Sequence, residues 1–198
     1  MKINQRRFLL IIFISAISLM LSCDRQEEAA SKSQASSQAV RPQGTSVRDT
    51  TGILSAKIDD FIENGLSLPG NSKMEIIASL GDPGSISARA LQNLHNPGVT
   101  DSAFILVYKN LKIGIYRAGF DGREFVISAL VAENRYLKHT DFGIGAAIST
   151  VENILGKPHE VDDSTYVYSC RDCPIEDKVS FYVSHNLITK VEFCYGVD

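Results

Sequence analysis

Apolar residues fill a run over positions 8–21 broken only by Ser15 and Ser18, almost vanish over positions 24–45, and then return in short periodic groups up to the C-terminus. The first run, FLLIIFISAISLML, follows Lys2, Arg6 and Arg7 and stops at Ser22-Cys23. A basic lead, an apolar stretch of this length and a small residue at its end make up a secretory signal peptide, expected over residues 1–22. Fourteen residues are few for a bilayer span, which takes about 20. The polar stretch DRQEEAASKSQASSQAVRPQGT holds a single aliphatic residue larger than alanine, Val40. It has too little apolar surface to offset the entropy of ordering, so residues 23–50 are expected to be a disordered tether behind Cys23.

Periodicity returns with Ile53, Leu54, Ile58, Phe61 and Ile62, which share one helical face ahead of Asn64-Gly65. The pattern that follows occurs twice. Gly70, Ile76, Leu80, Gly81 and Pro83 are matched by Gly145, Val151, Leu155, Gly156 and Pro158 at a constant offset of 75 residues. Each set predicts a helix, over about 72–80 and 149–155, stopped by a glycine suited to a left-handed C-cap with a proline beyond it. Three β-like runs follow each helix, over 103–108, 112–117 and 124–131, then over 165–170, 178–183 and 188–195. Turn-forming residues 119–122 and 184–186 suit hairpins, so each set of strands is expected to be an antiparallel meander covered by its helix. The expected fold class is therefore α+β: a leading helix and a tandem repeat, with repeat one over 51–135 and repeat two over 136–198.

Two resemblances sharpen this picture. Met20-Leu21-Ser22-Cys23 resembles the lipobox of bacterial lipoproteins, with Met in place of the usual Leu. That implies lipidation at Cys23 and an anchored chain in the bacterial cell envelope, facing the periplasm, with the choice of inner or outer membrane left open. A helix ending in Leu-Gly-x-Pro, then a meander with an aromatic residue in its first strand (Tyr108; Tyr166 and Tyr168), resembles the BamE (SmpA/OmlA) lipoproteins and the β-lactamase inhibitor protein. The latter is a tandem of two such units whose strands join into one curved sheet. Both relatives act by binding other proteins, so the resemblance, over residues 52–198, implies a non-enzymatic binding module whose partner is another envelope protein.

Charge agrees with that class. The formal net charge is −3, and loss of Lys2, Arg6 and Arg7 with the signal peptide takes it to −6. An acidic domain has no electrostatic reason to seek nucleic acid.

The two copies differ most in their insertions. Pro83 and Tyr108 are 25 positions apart against 10 for Pro158 and Tyr168, and the extra SISARALQNLHNPG places Ile86, Ala90, Leu91 and Leu94 for a further amphipathic turn or two of helix. Tyr168 and Tyr182 are 14 positions apart against 8 for Tyr108 and Tyr116, and the added segment carries Cys170-Arg-Asp-Cys173.

The first and third strands of a meander run parallel, which brings Cys194 towards that loop; a disulfide from Cys194 to Cys170 or Cys173 is expected ahead of one within Cys170–Cys173. The opposing class is an envelope thiol redox protein, or a metal-binding one using Cys170, Cys173 and Cys194 with His159 or His185. Redox chemistry of the thioredoxin kind wants its first cysteine at a helix N-terminus, whereas this pair falls on a hairpin loop. His95 and His139 are scattered, and no metalloprotease, hydrolase or P-loop motif is present. No catalytic residue, metal site or cofactor is expected. Tyr166, Tyr168, Tyr182 and Tyr195 are the candidate binding anchors, because exposed tyrosines on a curved sheet suit protein contact.

Overall fold

Each periodic apolar group beyond residue 50 becomes part of one two-layer arrangement, helices on one side and an antiparallel sheet on the other. The structure is a computed structural model and describes residues 50–197 except Leu94 and Thr140. The expected signal peptide, lipidated Cys23 and tether lie outside the described residues. In chain order the elements are α1 (Thr50–Asn64), α2 (Lys73–Leu80), β1 (Ser85–Gln92), β2 (Thr100–Val107), β3 (Leu111–Arg117), β4 (Glu124–Val131), a 3₁₀ turn (Asn134–Tyr136), α3 (Ile148–Leu155), β5 (Glu160–Asp162), β6 (Thr165–Ser169), β7 (Lys178–Ser184) and β8 (Leu187–Cys194). The fold is mixed α+β with an open eight-stranded sheet in the order β1-β2-β3-β4-β8-β7-β6-β5. All neighbours are antiparallel, and the sheet is continuous because β4 pairs with β8 from Ser128↔Cys194 to Val131↔Val191.

α2 and α3 are each followed by four strands, one more than the sequence pattern predicts. The extra strands are β1 and β5 at the two edges of the sheet. Residues 85–92, expected to be helical, pair with β2 along their whole length, from Ser85↔Val107 to Gln92↔Thr100. A helix there would leave the outer backbone groups of β2 unpaired, and the segment serves either pattern: Ile86, Ala88 and Ala90 fit a period of two, and Ile86, Ala90 and Leu91 one of 3.6.

The registers separate the two faces. Leu106, Ile113, Ala129, Phe193, Val179 and Tyr168 lie side by side across six strands, and all are buried under the helices. Phe61 of α1 is the hub of this layer. Its ring meets Phe142 edge-on at 4.8 Å, stacks on Phe181 at 5.8 Å and leans on Phe193 at 5.6 Å. Full burial of such a ring contributes about 1.5–3 kcal/mol. The next row, Val107, Lys112, Leu130, Glu192, Ser180 and Val167, points the other way. None of the described helices covers that side.

The glycine stops behave alike. Ser72 starts α2 with a reciprocal capping box to Glu75. Gly81 N–H donates to Ile77 O and Gly156 N–H to Glu152 O, each at 2.9 Å. Tyr108 OH donates to the Gly81 carbonyl at 3.2 Å, and Tyr168 OH to the Gly156 carbonyl at 3.0 Å. The caps are not the left-handed helical conformation expected from the sequence. Gly81 has φ 80° and ψ −176°, and Gly156 has φ 84° and ψ −165°, a region open almost only to glycine. Between β7 and β8, His185 and Asn186 at φ 51° and 63° make the two-residue turn that suits the twist of a hairpin.

Replacing Gly81 or Gly156 by Ala is expected to cost about 1–3 kcal/mol at each site, measured by urea unfolding. At Gly81 an added Cβ meets nothing within 4 Å, so a loss there reports backbone strain alone. An unchanged midpoint for Gly81→Ala would show that the strain is absent.

Candidate binding surfaces

The four tyrosines divide between the faces. Tyr168 is fully buried and its hydroxyl is engaged with Gly156, so it presents no surface to a partner. Burial raises its pKa, as it does for Tyr195. Tyr195 stacks on Phe193 at 6.4 Å and donates to the Ile62 carbonyl at 3.3 Å, fastening the chain end to α1. Tyr166, opposite Phe181 and half-buried, packs against the core. Tyr182 alone of the four is on the helix-free face, where its hydroxyl donates to Glu192. Strand parity, read from Phe181 and Phe193 as core residues, was the signal that could have sorted them.

The cysteines also differ from expectation. Cys170 and Cys173 form a disulfide, with Cα atoms 5.6 Å apart, and Cys194 lies outside that bridge, buried. The reason is spacing. Lys178 of β7 pairs with Ser169 on one side and Cys194 on the other, so β7 stands between the two strands. Two strand spacings amount to about 9–10 Å, beyond the reach of a disulfide. The bridged loop leaves the end of β6, away from any described helix N-terminus. It is held by Arg171 N–H donating to Asp59 Oδ1 of α1 at 3.1 Å, and by Gly196 N–H donating to Asp177 Oδ1 at 2.8 Å.

Neither His159 nor His185 joins a metal-ligating cluster among the described residues. The Nδ1 atom of His159 accepts from Ser169 N–H at 3.0 Å, and His185 contacts Ser184. A cleft of about 350 Å³ lies beside that loop, lined by Leu54, Ile58 and Leu155 together with Lys157, His159 and Arg171.

The most organised polar site was not anticipated from the sequence. Asp101, at the start of β2, is buried, and its carboxylate accepts from Gly119 N–H at 2.8 Å, from Asn93 Nδ2 at 2.9 Å and from the Tyr116 hydroxyl. Three segments thereby converge on one carboxylate: the β1–β2 connection, β3 and the β3–β4 hairpin. The Tyr116 hydroxyl first, then the Gly119 amide, hold the Asp101 pKa below the ordinary carboxylate range. The same bond pushes Tyr116 up to about 12.

The residue after Gly119 is Phe120, 84% exposed at the hairpin tip. Phe125, 41% exposed, pairs with Tyr116 on the helix-free face, and half-buried Ile105 and Leu130 continue the apolar surface inward. Asp101 thus fixes a hairpin that presents an aromatic tip beside an apolar sheet surface.

No protein-family model, curated protein or solved structure matches the chain. No helix among the described residues is long and apolar enough to cross a membrane.

Two outcomes check this geometry. A non-reducing tryptic digest is expected to join the peptide ending at Arg171 to the one beginning at Asp172 through Cys170–Cys173; a cross-link to the Cys194 peptide would overturn the pairing. The pKa of Asp101 is depressed in the folded state, so its stabilising effect is present above about pH 4 and is lost as pH falls through the folded value. Asp101→Asn is therefore expected to lower the thermal midpoint at pH 7 and to differ progressively less from wild type below pH 4.

Proposed function

We propose that the protein is a bacterial lipoprotein, tethered to an envelope membrane through Cys23, which acts as a non-catalytic module binding another envelope protein. The observation that carries this reading is the helix-free sheet face, where Phe125, Ile105 and Leu130 lie beside the exposed Phe120 tip. Large apolar side chains left accessible on a well-packed scaffold favour a protein contact, with aromatic residues as anchors. Among the tyrosines, Tyr182 remains a contributor to that face.

In this reading the chain is built from two copies of a helix followed by an antiparallel meander, as in the BamE-like lipoproteins and the β-lactamase inhibitor protein. The paired tyrosine-to-glycine hydrogen bonds, Tyr108 to Gly81 and Tyr168 to Gly156, support a duplication, since each copy closes its helix end in the same way. The tether, at about 5–6 Å times the square root of its length, gives the module some 25 Å of reach from the membrane. The bridged loop has a structural role here, and the redox alternative predicts turnover that this reading does not.

Replacing Cys23 by Ala is expected to abolish labelling by radioactive palmitate and to release the chain from the membrane fraction. Replacing Phe120 and Phe125 together by Ser is expected to abolish cross-linking to an envelope partner in intact cells while leaving the unfolding free energy within about 1 kcal/mol of wild type. A lipid-labelled Cys23→Ala chain, or turnover of a disulfide substrate that depends on Cys170, would overturn the proposal.

A further inference from the structure

The two edges of the sheet are unequal. At one end β5 is three residues long, whereas β1 is eight residues long, contains no proline and has a single charge, Arg89. Every β1 residue except Leu91 is exposed. Long, uncovered edges of this kind are a liability that folded proteins ordinarily shorten, cover or break with proline.

The ladder fixes which groups of β1 are open. Asn93 N–H donates to the Val99 carbonyl, one step beyond the pair Gln92↔Thr100, so the odd-numbered residues of β1 exchange their bonds with β2. The bond from Tyr108 N–H to Leu111 O gives the matching parity on the far side of β2. Ile86, Ala88 and Ala90 therefore turn both N–H and C=O away from the sheet. Their side chains lie on the helix-bearing side, with Ile86 51% exposed and two alanines that leave room for larger neighbours. Arg89 is on the opposite side and makes no ion pair among the described residues.

We infer that β1 is a strand-addition site, which takes an extended segment of a partner protein as a ninth antiparallel strand. The segment carries apolar residues at alternate positions, against Ile86, Ala88 and Ala90, and a carboxylate opposite Arg89. Backbone groups at 86, 88 and 90 supply the affinity, and the small side chains with the lone cation supply the selection.

Two other occupants fit less well. A second copy pairing through β1 with its helices on the same side buries the most strand when centred on Ala88 or Arg89, and both registers set the two Arg89 side chains opposite or diagonal to one another, a destabilising like-charge contact. Residues 24–45 of this chain hold one β-branched aliphatic residue, Val40, and form a poor strand.

This inference rests on the binding-module reading and names its contact. The test places a photoreactive benzophenone side chain at Ser87, or separately at Phe125, in the full-length lipidated chain in intact cells. From Ser87, one partner is expected to be captured through an extended segment containing an acidic residue. Ala88→Pro removes an outward N–H and leaves the β2 ladder intact, and it is expected to reduce capture about tenfold, the equivalent of one lost backbone hydrogen bond. Ala88→Val keeps the N–H and is expected to capture as wild type. Arg89→Glu, which leaves the backbone unaltered, is expected to reduce capture even if Ala88→Pro fails to fold. Capture of a second copy, capture of residues 24–45, capture unaltered by Ala88→Pro and Arg89→Glu, or none from Ser87 would each overturn the proposal. In those cases capture from Phe125 leaves the binding-module reading standing, and its absence from both positions removes both.

Discussion

The structure depends on the short antiparallel pairing between β4 and β8. Four residue pairs join what would otherwise be two four-stranded sheets, each with an additional open edge. The pairing lies within the core: Ala129 and Phe193 face each other across it, and both are buried. Because β4 and β8 close their respective meanders, joining them places the first strands of the two meanders at opposite margins of the sheet. The unequal edges, the continuous helix-free face and the common apolar layer all follow from that connection.

Strong alternation made the interior strands legible in the sequence. In β7, Val179, Phe181 and Val183 alternate with Ser180 and Tyr182, and the face they define is the buried one. The margins were not legible for a physical reason. An edge strand exposed on both sides is under no demand to alternate, and the run of Ser, Ala and Leu in β1 serves a helix pattern equally well. The disulfide pairing is not legible either, because a parallel relation between first and third strands says nothing of the strand lying between them. Asp101 escaped notice because its three donors come from positions 93, 116 and 119, and no short sequence pattern links them.

Polar bonds at the margins do a different job from the core. Asp101 gathers one end of the first meander, Asn134 brackets the Ile144 backbone through both its amide atoms, and Asp59 fastens the bridged loop to α1. Each satisfies backbone donors or acceptors that no strand or helix reaches, which is the condition for ordering irregular chain on a packed scaffold. The exposed aromatic tip at Phe120 is held out by one of these devices.

The leading helix has a consequence for the order of events in folding. α1 comes first among the described elements, yet its contacts are with α3 and β6, its Phe61 rests on Phe181 and Phe193, and the Ile62 carbonyl accepts from Tyr195, 133 positions further on. No N-terminal fragment emerging in synthesis can complete its own hydrophobic layer. Such high contact order slows folding and keeps a nascent chain loose until its last strand is available. Under the envelope location proposed above, a core whose keystone residues are the last to be made would keep the chain threadable through a narrow channel until it had crossed.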